Sequence, residues 1–163
     1  MMSQAIKYLL NKASEADIRD HLLRCNNDFV PHLSSRVEIS DYARKISDNA
    51  TRIEAWVGDN LVGLLAVYVN DRENGAAFVT SNSVLAVWTR KGIASRLLGF
   101  AIEQAIAANM RQIELDVAGE NARAMKLYEK FGFVVKKKNS PFVCMKLVLN
   151  GGKENEKQAR LQH

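Results

Sequence analysis

Cysteine is scarce in this chain: Cys25 and Cys144 are the two among 163 residues. No CxxC pair or Cys/His cluster accompanies them, so a disulfide framework or a structural zinc site is not expected, and no metal is. Long apolar runs are also missing, and none approaches the roughly 20 residues that span a bilayer. The opening MMSQAIKYLLNKASEAD has neither a long apolar core nor a small-residue cleavage site, so it does not read as a signal peptide. Internal repeats and linkers are absent. Residues 1–149 are therefore expected to form one cytoplasmic domain, with 150–163 as a disordered tail. The net charge of +5 invites a nucleic-acid partner. Much of that excess, however, sits in Lys136, Lys137 and Lys138 and in the tail, with no basic stripe interleaved with aromatics, which argues against one. A small polyanionic ligand suits the same charge.

What is present is a change of period. AIKYLL reads as a short strand, and Ser14 and Asp17 signal a helix running to about Cys25. A second helix carries Ile39, Tyr42, Ala43 and Ile46 at helical spacing. Between them NNDFVPHLSSR shows no period; it mixes Phe29, His32 and Arg36 and is a candidate binding loop. From Arg52 the pattern turns to strands: RIEAWV and LVGLLAVYVN around a Gly58-Asp59-Asn60 turn, then AAFVTSNSVLAV. A helix from about Lys91 follows, with Ile93, Leu97, Leu98, Ala101, Ile102, Ala105 and Ile106 in one apolar stripe. QIELDV is a strand, Asn121 caps a further helix with Gly132 at its end, and FVVKKK with FVCMKLVL closes the chain as a strand pair. The fold class is α/β (α+β): a mainly antiparallel mixed sheet of about six to seven strands with about four helices.

One stretch raises a question of charge. TRKGIASRLL places Arg90 and Lys91 where a helix begins, an end that is already electropositive, at a cost of roughly 0.3–1 kcal/mol each. Small residues at Gly92 and Ala94 leave the backbone N–H groups of that turn open to close approach. An anion held there would account for both.

The order of elements and two motifs resemble the GNAT superfamily of N-acetyltransferases. The first is an Arg/Gln-x-x-Gly-x-Gly/Ala turn after a central strand, matched by SVLAVWTRKGIASRLL at Gly92 and Ala94. The second, Asn-x-x-Ala-x-x-Leu-Tyr-x-x-x-Gly-Phe, is matched by NARAMKLYEKFGF at Asn121, Ala124, Leu127, Tyr128, Gly132 and Phe133. Thr89 stands where the family usually has Arg or Gln, and Ala86 where proline is frequent. Neither removes the phosphate cradle, which is built of backbone N–H groups.

The resemblance implies a cosubstrate, acetyl-CoA, whose pyrophosphate would lie against Arg90, Lys91, Gly92, Ile93, Ala94 and Ser95. It implies that Asn82, Ser83, Val84 and Leu85 run along the pantetheine arm, that Asn121 bonds the arm, and that Tyr128 is the general acid toward sulfur. For the general base it points to Asp116, five residues before Asn121, with Glu54 and His32 as rivals and relayed water as a further route. Phe29, His32, Arg36 and Glu54 are the expected acceptor-side residues. Cys25 and Cys144 lie in a helix and a strand with no partner histidine nearby in sequence, so an acetyl-cysteine route is not expected. The implied activity is direct acetyl transfer to a primary amine. A small metabolite such as an amino sugar nucleotide is favoured over a protein N-terminus or lysine; a non-catalytic CoA-binding sensor is the alternative from another class. A homodimer is allowed.

Overall fold

A computed structural model of the protein describes residues 5–149; the tail expected to be disordered lies outside them. The strands pair in the order β1-β2-β3-β4-β5-β7-β6. These are β1 (Lys7–Leu10), β2 (Thr51–Val57), β3 (Asn60–Tyr68), β4 (Ala76–Val84), β5 (Gln112–Ala118), β6 (Val134–Asn139) and β7 (Phe142–Val148). Four helices accompany them: α1 (Glu15–Cys25), α2 (Ile39–Asn49), α3 (Ile93–Ala107) and α4 (Ala122–Lys130). The ladders β1–β2, β2–β3, β5–β7 and β6–β7 are antiparallel and β4–β5 is parallel, the mixed, mainly antiparallel sheet that the strand pattern anticipates. Among the described residues no helix is long and apolar enough to cross a membrane.

The chain divides into two compact units, one of residues 5–67 and 80–101, the other of 68–79 and 102–149. In the first, α1 begins with a capping box: Ser14 Oγ accepts from the Asp17 N–H at 3.1 Å, and Asp17 Oδ2 accepts from the Ser14 N–H at 2.9 Å. Together these satisfy two donors at a helix end that has no intrahelical acceptor for them. The apolar face of α1 buries Ile18 and Leu22 completely, each contributing roughly 1.5–3 kcal/mol. α2 is capped by Glu38, whose carboxylate accepts from the Asp41 N–H, and it buries Ala43 and Ile46. Gly63 on β3 lets the start of α3 pack closely. A Cβ there would lie 2.8 Å from Ile93 Cγ2 and 3.2 Å from Leu97 Cδ1.

In the second unit the parallel ladder runs from Ala76↔Gln112 to Val79↔Leu115, while β5 continues its pairing with β7 as far as Ala118↔Phe142. Ile113, Leu115, Met145 and Leu149 are fully buried. Asn121 caps α4 through Oδ1, which accepts from the Ala124 N–H at 3.1 Å.

Three boundaries differ from the sequence expectation. The strand AAFVTSNSVLAV stops at Val84, because the chain curls into a 3-10 turn at Ala86–Trp88; the Leu85 N–H still reaches the Val62 carbonyl of β3 at 2.8 Å. The next helix starts at Ile93 rather than Lys91, because Arg90 (φ 65) and Gly92 (φ 79) are left-handed and cannot extend it. The segment NNDFVPHLSSR contains two 3-10 turns, Asn26–Asp28 and Leu33–Ser35.

Candidate functional site

The turn between β4 and α3 is assembled from its backbone. Thr89 Oγ1 and the Thr89 N–H both donate to the Ala86 carbonyl, at 2.7 and 3.3 Å, which closes the 3-10 turn. Arg90 then adopts φ 65, a conformation that costs a non-glycine residue roughly 1 kcal/mol or more. Gly92 adopts φ 79, and a Cβ there would meet nothing within 4 Å, so its exposed surface is open. The first helical bond is Arg96 N–H to the Gly92 carbonyl at 3.1 Å. The N–H groups of Ile93, Ala94 and Ser95 therefore precede the helical ladder and point out of the helix end. Such a helix start, preceded by two left-handed residues and flanked by exposed Arg90 and Lys91, can accept phosphate oxygens. Trp88 supports the charge: Lys91 Nζ lies 5.9 Å above its ring centroid. Arg96, one turn into the helix, stacks similarly at 5.7 Å over Tyr8.

Asn82, Ser83 and Val84 end β4, past the parallel ladder, with Leu85 next in the chain, and all four are partly exposed. Ser83 has a partner that sequence reasoning missed. His21 on α1 is 2% exposed; its Nδ1 lies 2.9 Å from the Leu61 carbonyl and its Nε2 lies 2.9 Å from Ser83 Oγ. Cys25 Sγ sits 3.6 Å from the same Nε2. The expectation that Cys25 has no histidine nearby is thus corrected: His21 stands four residues earlier, one helical turn away, and that i, i+4 spacing was the available signal. The pair is not an activated thiol. Burial, opposed by hydrogen bonding to the backbone of Leu61 and Ser83, lowers the His21 pKa to about 4. Burial likewise pushes the Cys25 thiol up to about 11. Both groups stay neutral near pH 7, the opposite of a thiolate–imidazolium nucleophile.

Glu54 proves to be spent inside the fold. It is fully buried, and its carboxylate accepts from the Lys12 N–H (3.0 Å), the Ala13 N–H (3.0 and 3.1 Å) and Trp56 Nε1 (2.9 Å). Arg52 Nε lies 3.4 Å away, and its guanidinium also donates to the carbonyls of Ser47 and Ala13. This arrangement ties the β1–α1 junction to β2. A carboxylate so enclosed has no route to a substrate amine, so Glu54 is dropped both as a base and as an acceptor-side residue. Phe29, His32 and Arg36 lie on the short turns between α1 and α2, with His32 and Arg36 exposed and Phe29 half-buried. The Ser34 N–H bonds Asn26 Oδ1 at 2.7 Å and pins the segment. Asp17, Asp20 and Asp59 line an open pocket of about 350 Å³ together with Arg24.

In the second unit, Tyr128 is 8% exposed and packs edge-on against Phe133, ring centroids 5.7 Å apart. The Phe131 and Phe133 N–H groups both bond its carbonyl, at 3.1 and 3.0 Å, which fixes the end of α4. Asp116 is exposed on β5, opposite Cys144 on β7. The Cys144 thiol pKa is raised, first by burial and then by the Asp116 and Glu114 carboxylates. Among the described residues no group of three or more His, Cys, Asp or Glu could hold a metal ion.

Comparison with known proteins places this geometry in context. The acetyltransferase (GNAT) family model matches residues 15–133, most of the chain. The chain belongs to the GNAT acetyltransferase family. No curated protein sequence matches it. Among solved structures, this GNAT chain is similar to PH1933 from Pyrococcus horikoshii OT3, at 27% identity and TM-score 0.71 over 88% of this chain and 98% of that one. The PaiA N-acetyltransferase from Thermoplasma acidophilum, solved in complex with coenzyme A, shares 16% identity (TM-score 0.70, 88% and 99% covered). An acetyltransferase from Bacillus subtilis, also solved with CoA, shares 18% (TM-score 0.69, 89% and 99%). At such identities these last two likenesses speak for the fold alone.

Proposed function

We propose that this GNAT chain is an acetyl-CoA-dependent N-acetyltransferase that transfers the acetyl group directly to a primary amine. The observation that carries the reading is the turn at Arg90–Ser95. Two left-handed residues, an open Gly92 surface and three N–H groups ahead of the helical ladder suit a pyrophosphate. The residues that would hold the cosubstrate are Arg90, Lys91, Gly92, Ile93, Ala94 and Ser95 at the phosphates, and Asn82, Ser83, Val84 and Leu85 along the arm. Asn121 serves through its N–H2 end, since its oxygen is occupied as the α4 cap. Acetyl-CoA supplies the activated acetyl group.

Tyr128 then acts as general acid, donating its phenolic proton to the departing sulfur. Asp116, exposed on β5, takes the proton that the attacking amine must lose and can pass it to solvent. Phe29, His32 and Arg36 form one wall for the acceptor. Their mix of aromatic and basic groups favours a small metabolite such as an amino sugar nucleotide over a protein N-terminus or lysine. The reading includes a cytoplasmic location, and a homodimer is compatible with it. The test is a panel of amines incubated with the protein and acetyl-CoA, with thiol release followed and products identified by mass spectrometry. An acetylated amine is expected. Tight acetyl-CoA binding with no acetylated product from any amine would favour a CoA-binding sensor instead.

A further inference from the structure

His21 is a buried histidine for which the proposed chemistry has no use, and its hydrogen bonds give it one. The Leu61 carbonyl can only accept, so Nδ1 carries the ring proton and Nε2 is a bare lone pair. Ser83 Oγ, 2.9 Å from Nε2, must then donate to it; the Cys25 thiol at 3.6 Å is the weaker donor. With its one proton committed, the Ser83 hydroxyl faces anything else as an acceptor. Ser83 is half-buried on the last residues of β4, immediately before the chain turns into the phosphate cradle at Arg90–Ser95.

We propose that His21 is a positioning residue that holds the Ser83 hydroxyl as a hydrogen-bond acceptor for an amide N–H of the pantetheine arm. The proposal rests on the acetyl-CoA reading above and deepens it. An arm attached to a pyrophosphate at Arg90–Ser95 runs over the chain just ahead of that turn, and its amide N–H groups need acceptors once shielded from water. A freely rotating serine can turn its proton toward such an N–H. Tied to His21, it offers the lone pair only. A relay in which His21 itself serves as base is the less favourable use, because burial keeps Nε2 from holding a proton at working pH. Positioning asks only that His21 remain neutral.

The test is calorimetric titration of two probes, acetyl-CoA and adenosine 3′,5′-bisphosphate, which lacks the arm. Ser83→Ala and His21→Leu should each weaken acetyl-CoA by roughly 3–10-fold, the contribution of one hydrogen bond, and leave the bisphosphate unchanged. The double variant should be no weaker than Ser83→Ala alone. His21→Gln, whose amide can donate to Leu61 and accept from Ser83, should retain most of the affinity. If His21→Leu fails to fold, Ser83→Ala still decides. Wild-type affinity for acetyl-CoA in Ser83→Ala overturns the inference, as does an equal loss for both probes, which would mark a structural role. A wild-type protein that binds neither probe would overturn the acetyl-CoA reading itself.

Discussion

Lowering the pH from 7.5 to 5 sets His21 against the fold. In the unfolded chain its imidazole titrates near its ordinary value of 6.5, but in the folded protein burial lowers it to about 4. Between those values the unfolded chain binds a proton that the native state refuses, so acid favours unfolding. The contribution is fully present above about pH 6.5, declines as the pH falls below that, and is exhausted near the folded value. The whole shift is worth about 3 kcal/mol, of which about 2 kcal/mol is lost by pH 5. His21 is almost wholly buried, so solvent does little to screen this. Urea unfolding at both pH values, on wild type and His21→Gln, isolates the term, because the carboxylates titrate alike in the two proteins. Wild type should lose about 2 kcal/mol more than the variant on acidification. Equal losses would refute the assignment of a buried, neutral His21.

Three substitutions probe other parts of the account. Gly63→Ala drives a Cβ to 2.8 Å from Ile93 Cγ2 and should destabilise by about 1–3 kcal/mol in urea titrations, with no accompanying change in acceptor KM. Glu54→Ala leaves Arg52 and the Lys12, Ala13 and Trp56 donors without their acceptor and should cost about 3–5 kcal/mol; a folded variant of wild-type stability with a raised acceptor KM would restore Glu54 to the substrate side. Gly92→Glu strains the left-handed turn and sets a carboxylate against the phosphates. Calorimetry should show acetyl-CoA binding weakened by roughly tenfold or more while the fold persists.

The elements were legible where local chemistry decides them. Ser14 and Asp17 gave the α1 capping box, Asn121 the α4 cap, and the apolar spacing of Ile93, Leu97 and Ala101 the buried stripe of α3. Details set by the backbone were harder. Nothing in its residue type marks Arg90 as left-handed, so the helix start was placed two residues early. Glu54 read as a rival base and an acceptor-side residue because a carboxylate in a strand is usually free to face a ligand. Its true partners, the Lys12 and Ala13 N–H groups, lie some 40 residues away in sequence and are brought to it by the β1–β2 pairing. His21 escaped notice for a similar reason: its neighbour Cys25 is one turn away, but the Ser83 and Leu61 groups that define its role come from distant strands.

The central claim is that this GNAT chain performs acetyl transfer with Tyr128 as its acid, and Tyr128→Phe tests it most directly. The variant keeps the ring that packs against Phe133 and removes only the hydroxyl. The measurement is thiol release from acetyl-CoA with an accepted amine, under conditions where chemistry limits turnover, alongside calorimetric binding of acetyl-CoA. The account predicts that kcat falls by about 10²–10⁴-fold while the acetyl-CoA Kd stays nearly constant. Full kcat in the variant would contradict it.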